Sequence, residues 1–326
     1  MILPHRYLFR TTSTTVKAHE YSGQVQDFPW HVFAWTDEDG VEGAIEACCQ
    51  SLDLSGKRLG VEELVMRVKE YNLLKIFAPE VVISLADPLI TELRLVKDAN
   101  EIDCIRKAVH LTEIVLEETL PKIKIGMTEK DIESELVIGL FKGGSEALPF
   151  KPLVQTGTSG ANPHATSGNR QLAEGDLLII DFGARVDGYI SDITRTYAVG
   201  AISEEKRQLY NIVKESNQAG CRIAKAGISC QAVDQATRAV IDSAGYGKYF
   251  THRTGHGIGL EAHEPPFIVD GNPMILQTGM TFTVEPGIYI PSLGGVRIED
   301  DVLITEDGTE CLTTFSRELI TVACST

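Results

Sequence analysis

The chain has no apolar run near the ~18 residues that a membrane-spanning helix requires. Its first residues, MILPHRYLFRTT, lack the apolar core and cleavage site of a secretory leader. Positive charge is also scarce: 30 Lys and Arg stand against 46 Asp and Glu, a formal charge of −16. Nucleic acid and anionic membranes are held by basic surfaces, so neither is an expected partner. The seven cysteines, Cys48, Cys49, Cys104, Cys221, Cys230, Cys311 and Cys324, show no CxxC spacing and no shared pattern with the histidines. That excludes a thiolate zinc module and argues for reduced, structural thiols in a cytoplasmic protein. What the chain does have is length and apolar content, 326 residues and 43% hydrophobic, enough for one large domain or two smaller ones.

The pattern along the chain favours two. Residues 1–97 hold both tryptophans, short strands at 32–35, 59–61 and 81–83, and a helix over 62–71, the makings of a small α/β unit. A linker at 95–100 leads to a helix opened by Asp98 and Glu101 in capping-box spacing, with Ile105, Ala108, Val109, Thr112 and Leu116 on one face. The second domain, 98–326, begins there and repeats itself. KIKIGMTEKDIESELVIGL (122–140) overlays IAKAGISCQAVDQATRAVI (223–241), matching Gly126 to Gly227, the helix caps Thr128 to Ser229, and Ile132 to Val233. GDLLIIDFG and GMTFTVEPG then place Asp181 and Glu285 six residues after Gly175 and Gly279. A duplicated unit folded about a pseudo-twofold axis would bring one carboxylate pair from each half to the central junction.

The carboxylates carry the chemistry. Asp181 and Asp192 lie eleven positions apart in DFGARVDGYISDITRT, which reads as strand, turn at Asp187 and Gly188, and strand. Glu285 in FTVEPGIY and Glu299 in VRIEDD form a second pair, and His256 in HRTGHGIG adds an imidazole. Oxygen and imidazole ligands without thiolate suit manganese, cobalt, iron or zinc at a hydrolytic centre. About four negative charges are balanced by two divalent ions rather than one. Two such ions can hold a bridging water, lower its pKa and polarise the carbonyl it attacks, which is amide hydrolysis. Each acid alone has a blander reading; Asp300 and Asp301 in particular are expected as solvated acids at a strand end. His164 in NPHATSG, His252 in HRTGHGIG and His263 in EAHEPP are candidates for proton donation and carbonyl contacts.

Together these residues resemble the pita-bread metallopeptidases, in the branch of Xaa-Pro dipeptidase (prolidase) and aminopeptidase P. The resemblance covers about 90–322 and rests on ITELRLVKDANEIDCIRKA, PHATSG, DFGARVDGYISDITRTYAVG, HRTGHGIGLEAHEPP, GMTFTVEPGIYI and GGVRIEDDVLIT. It implies an α+β pita-bread catalytic domain. It also implies two divalent ions, manganese or cobalt before zinc or iron, held by Asp181, Asp192, His256, Glu285 and Glu299. Asp192 and Glu299 would bridge the ions and Glu285 would also take the proton of the attacking water. His252 and His263 would contact the scissile amide, and His164, Tyr289 and Arg297 would complete the pocket. Arg297 would offer a guanidinium fork to a free substrate carboxylate, favouring dipeptides. The expected activity is hydrolysis of Xaa-Pro dipeptides by a homodimer. Aminopeptidase P action on longer peptides, methionine aminopeptidase activity and a non-enzymatic pita-bread binding module are the alternatives. The front of the chain resembles the middle of the family's usual first domain, so a shortened α/β N-terminal domain is expected. Apolar surface around Leu8, Phe9, Val32 and Phe33 would then be exposed.

Overall fold

A computed structural model describes residues 6–11 and 30–323, with side chains from Phe33 onward. It divides into two compact units, Met1–Ile90 and Thr91–Thr326. In the first, β1 (Arg6–Thr11) runs parallel to β2 (Trp30–Trp35), and β3 (Arg58–Val61) parallel to β4 (Val82–Leu85). Helices α1 (Glu42–Ser51) and α2 (Val68–Phe77) pack a small core of Ile45, Cys49, Leu54, Leu73, Ala78 and Val81. The helix expected at 62–71 is displaced toward the C-terminus. Glu62–Met66 instead form a turn, with the amides of Val65 and Met66 both bonded to the Glu62 carbonyl. Glu70 then bonds back to the Arg67 amide to open α2. The side chains of Leu8, Phe9 and Val32 lie outside the described residues, and Phe33 is partly buried.

By compactness the chain divides inside α3 (Asp87–Leu95). Residues 95–97 belong to the second unit for a physical reason. Leu95 is buried in its core, the Lys97 amide bonds to the Gly279 carbonyl at 2.9 Å, and the Lys97 ammonium pairs with buried Glu264 at 2.8 Å. Helix α4 (Ala99–Thr119) follows. Asp98 accepts from the amides of Asn100 and Glu101 while Glu101 accepts from Asp98, and the face from Ile105 to Leu116 is buried as its spacing requires.

The second unit is built twice. Its first half runs α4, α5 (Glu129–Lys142), β5 (Leu153–Thr156), β6 (Leu177–Phe182), the small hairpin β7 (Arg185–Val186) and β8 (Tyr189–Ile190), and β9 (Ile193–Val199). The second runs α6 (Glu204–Ile223), α7 (Cys230–Ser243), β10 (Gly255–Gly257), β11 (Glu264–Ile268), β12 (Thr281–Val284), hairpin β13 (Gly287–Ile290) and β14 (Gly294–Arg297), β15 (Asp300–Ile304) and β16 (Thr309–Cys311). A last strand, β17 (Thr321–Val322), returns beside β9. The halves give sheets of order β17-β9-β6-β5 and β11-β10-β12-β15-β16.

Equivalent backbone bonds recur in the two halves. Gly126 donates to Leu172 and Gly227 to Leu276, each at 2.9 Å; Leu172 returns a bond to Met127 and Leu276 to Ile228, each at 2.8 Å. Gly126 and Gly227 both sit at φ 88°, and Thr128 and Ser229 both cap the following helix. Ile132 and Val233 are fully buried one turn later, each in the core of its own half.

An added Cβ at Gly126 or Gly227 meets nothing within 4 Å, so backbone conformation alone opposes a side chain at either place. Gly126→Ala and Gly227→Ala are each expected to cost about 1–2 kcal/mol, the cost of a left-handed residue with a Cβ. Urea unfolding of the two variants checks this, and a loss at one site alone would contradict the equivalence of the halves.

Candidate metal centre

The register of the strands brings the acids together. β6 and β9 pair antiparallel with Asp181 opposite Thr194, so Asp192, two residues before Thr194, lies at the same end. The intervening β7–β8 hairpin turns at Asp187 and Gly188, both with positive φ as a two-residue hairpin turn requires. In the second half Val284 pairs with Asp300, which leaves Glu285 and Glu299 as the next residues of each strand. A bridge between Thr194 and Glu299, with the Glu299 amide on the Thr194 carbonyl at 3.0 Å, joins the two sheets. His256 on β10 completes the group, its amide bonded to Thr283 Oγ1 at 3.1 Å.

Asp192, His256 and Glu299 are the tightest cluster, with ligand atoms within 4.8 Å of one another and all three side chains buried. His256 Nε2 is 3.3 Å from Glu285 Oε1 and 3.7 Å from Asp192 Oδ2. His256 Nδ1 faces the Gly257 carbonyl at 3.2 Å, an orientation that leaves Nε2 as the free lone pair. Thr194 donates to Glu299 at 2.5 Å. Asp181 is held by Arg297, whose Nη2 donates to its Oδ2.

Electrostatic crowding governs the centre. Burial, then the charges of Glu299 and Asp181, push the Asp192 carboxyl well up, and burial with Glu285 and Asp181 does the same to Glu299. Burial raises Glu285 to about 8 and holds His256 well below the usual imidazole range. Such a group is strained as a set of anions and is relieved by cations. Asp181 Oδ1 and Asp192 Oδ1 are buried with no hydrogen-bond partner among the described residues. Unpartnered hard oxygens beside an imidazole nitrogen are a donor set that fits a divalent cation.

Of the other expected residues, His164, His252, His263 and Arg297 line one cavity of about 450 Å³ that opens on Glu285, with Pro163, Arg253, Phe267 and Val269, while Tyr289 is not in its lining. His263 packs edge-on against His256 with ring centres 4.2 Å apart, and its ring nitrogens make no hydrogen bond within the described residues. Burial lowers its pKa. His252 is differently placed. Its Nδ1 donates to the Arg253 carbonyl at 2.7 Å, leaving Nε2 to accept from the Tyr289 hydroxyl at 2.8 Å, and that hydroxyl accepts from Arg297 Nη1 at 2.9 Å. Both nitrogens of His252 are thus engaged, and burial drives it down to about 3.

Two expectations change. Arg297 is not a wholly free fork: it is buried, with Nε on Thr194 at 3.2 Å, Nη1 on Tyr289 and Nη2 on Asp181, although it also lines the cavity. Its guanidinium places a positive charge against Asp181. Asp300 and Asp301, expected in solvent, are both fully buried. Asp300 pairs with Arg195 at 2.7 Å and Arg317 at 2.6 Å, while Asp301 accepts the Asp192 amide at 3.0 Å. Arg195 also ties the Glu299 carbonyl, so these residues fix the backbone that carries two of the acids. Thr194, Arg195 and Asp301 carry no motif that separates them from ordinary strand residues. Arg253 lay in plain view inside HRTGHGIG, and its charge between two histidines was the available signal.

The chain and its fold are similar to those of known proteins. A model of metallopeptidase family M24 matches residues 103–306. An Xaa-Pro dipeptidase of Pyrococcus furiosus is 40% identical over 234 residues, 72% of this chain and 67% of that protein. The structure matches an Xaa-Pro dipeptidase from Bacillus anthracis with TM-score 0.87 at 34% identity, covering 96% of this chain and 86% of that one. It matches an X-Pro aminopeptidase from Thermotoga maritima equally, with TM-score 0.87 at 33% identity over 98% of this chain and 86% of the other. These matches establish the expected pita-bread fold. The family's divalent metal then accounts for the buried, unpartnered carboxylate oxygens: this chain belongs to metallopeptidase family M24.

Proposed function

We propose that the chain is a dinuclear metallopeptidase that hydrolyses the Xaa-Pro bond of dipeptides. The observation that carries this reading is the placement of Glu285. It stands 3.3 Å from His256 in the acid cluster and at the same time lines the cavity with His164, His252 and His263. The relatives named Xaa-Pro dipeptidase support the proline specificity. Asp181, Asp192, His256, Glu285 and Glu299 would hold two divalent ions, manganese or cobalt, with zinc or iron also compatible with these ligands. When bound, the ions supply Lewis acidity for the amide carbonyl and for the attacking water.

The chain's own groups do the rest. Glu285 takes the proton of the water, being the carboxylate that faces both cluster and cavity. A proline nitrogen has no hydrogen, so the leaving group must gain a proton; Glu285 passes on the one taken from the water, and His263, with unengaged ring nitrogens in the cavity, is the group to contact the scissile amide. His252 and Tyr289 shape the pocket from a relay that begins at Arg297. A homodimer in the cytoplasm completes the proposal. The six cysteines among the described residues are free thiols, which suits a reducing compartment, and no described helix is long and apolar enough to cross a membrane.

Chelation is expected to abolish hydrolysis, with manganese or cobalt restoring it; full activity of metal-free protein would defeat the two-metal reading. Manganese should also raise the melting temperature of the chelated protein, by linkage to binding at the buried cluster. Glu285→Gln removes a ligand charge and the base, and turnover should fall by at least ~100-fold; a variant within about tenfold of the parent would remove Glu285 from this role. Rates on Ala-Pro, Ala-Pro-Ala and Met-Ala-Ala, compared under one metal condition, test the substrate class. Ala-Pro is expected to be cleaved fastest. Preference for Ala-Pro-Ala would identify aminopeptidase P action, and preference for Met-Ala-Ala would overturn the proline reading.

A further inference from the structure

With Arg297 committed to Asp181, Tyr289 and Thr194, the cavity has one other permanent positive charge, Arg253. No described acid forms an ion pair with it. Its guanidinium lies over the Phe267 ring, 5.1 Å from the ring centre, a stacking that orients the planar fork without using its N–H donors. The backbone beneath is anchored on both sides. The Arg253 carbonyl accepts from His252 Nδ1 at 2.7 Å, and the Thr254 amide bonds to the Ile268 carbonyl at 2.9 Å and to Asp234 Oδ1 at 3.2 Å. The neighbouring arginine on this side, Arg238, differs in being spent: it pairs with Asp234 at 2.8 Å and bonds to the carbonyls of Phe250 and His252.

We propose that Arg253 is a specificity-determining residue that receives the free α-carboxylate of a dipeptide substrate in the cavity beside Glu285. This rests on the peptidase reading above and deepens it. In a dipeptide the carboxylate is borne on the carbon next to the scissile nitrogen, so its receptor must lie close to the reacting centre. Arg253 is three residues from His256 in the chain and shares the cavity wall with Glu285 and His263. Two divalent ions would do no more than balance Asp181, Asp192, Glu285 and Glu299, so the substrate carboxylate needs a cation of its own. Phe267, held under the guanidinium, gives the adjoining side chain an apolar surface. A longer peptide carries an uncharged amide at this position and gains no ion pair.

The test compares each dipeptide with its C-terminal amide in the manganese-loaded enzyme: Ala-Pro with Ala-Pro-amide, and Met-Ala with Met-Ala-amide. The parent enzyme should prefer the acid. In Arg253→Gln the acid-to-amide ratio of kcat/KM should fall by at least ~10-fold, mostly through KM, as expected for loss of a charge-assisted hydrogen bond. Arg253→Lys, which keeps the charge and loses the fork, should fall between the two. Acid and amide declining by the same factor in Arg253→Gln, or a ratio that does not move, overturns the assignment. A parent enzyme that prefers Met-Ala while the ratio collapses in the variant retains Arg253 and refutes proline specificity. A parent that cleaves neither dipeptide acid refutes both.

Discussion

The structure depends on holding four carboxylates within one buried junction. Left as anions in a low-dielectric interior they repel one another, and left protonated they forfeit their use as ligands. The fold answers with rigid placement and internal cations. Thr194 bonds Glu299, Asp301 bonds the Asp192 amide, Arg297 covers Asp181, and Arg195 joins Asp300 to the Glu299 carbonyl. Asp181, Asp192 and Glu299 are therefore each fixed by a neighbour that is itself buried. One oxygen on Asp181 and one on Asp192 are left without a partner among the described protein groups.

Duplication explains how one chain can build such a junction. Each half contributes a helix pair, a glycine turn and an antiparallel strand pair ending in two acids, and each half buries its own apolar cluster. The acids meet because Thr194 and Glu299 bridge the two sheets at the axis. His256 breaks the symmetry. It stands on β10, and no histidine of the first half takes an equivalent place in the cluster.

The two cavity arginines divide electrostatic labour that a single residue cannot perform. A guanidinium buried against an aspartate and a tyrosine offsets the charge of the acid cluster and helps orient His252, but three of its donors are then used. A guanidinium stacked on an aromatic ring keeps its donors for a ligand. The motif around Arg297 points to the first position; the second becomes evident when the partners of every arginine near the cavity are followed.

Local chemistry was legible in the sequence where a residue's role depends on its near neighbours. The capping box at Asp98 and Glu101, the buried face from Ile105 to Leu116, the paired glycines of the repeat and the turn at Asp187 and Gly188 follow from spacing and backbone preference. The acids and His256 could be read as a set because each ends or flanks an apolar strand where a lone charge has no purpose. Near-neighbour rules failed where long-range partners decide. Residues 62–71 look helical, yet Glu62–Met66 turn and the helix starts at Val68. Asp300 and Asp301 look like solvated strand-end acids until Arg195 and the Asp192 amide, distant in sequence, are folded against them. Arg297 offers a fork to a substrate carboxylate on paper, and in space one arm of it is on Asp181. Sequence by itself determined which groups carry charge and which segments are strands; the tertiary structure decided which charges are already neutralised, because that depends on contacts more than a hundred residues apart, as between Asp181 and Arg297.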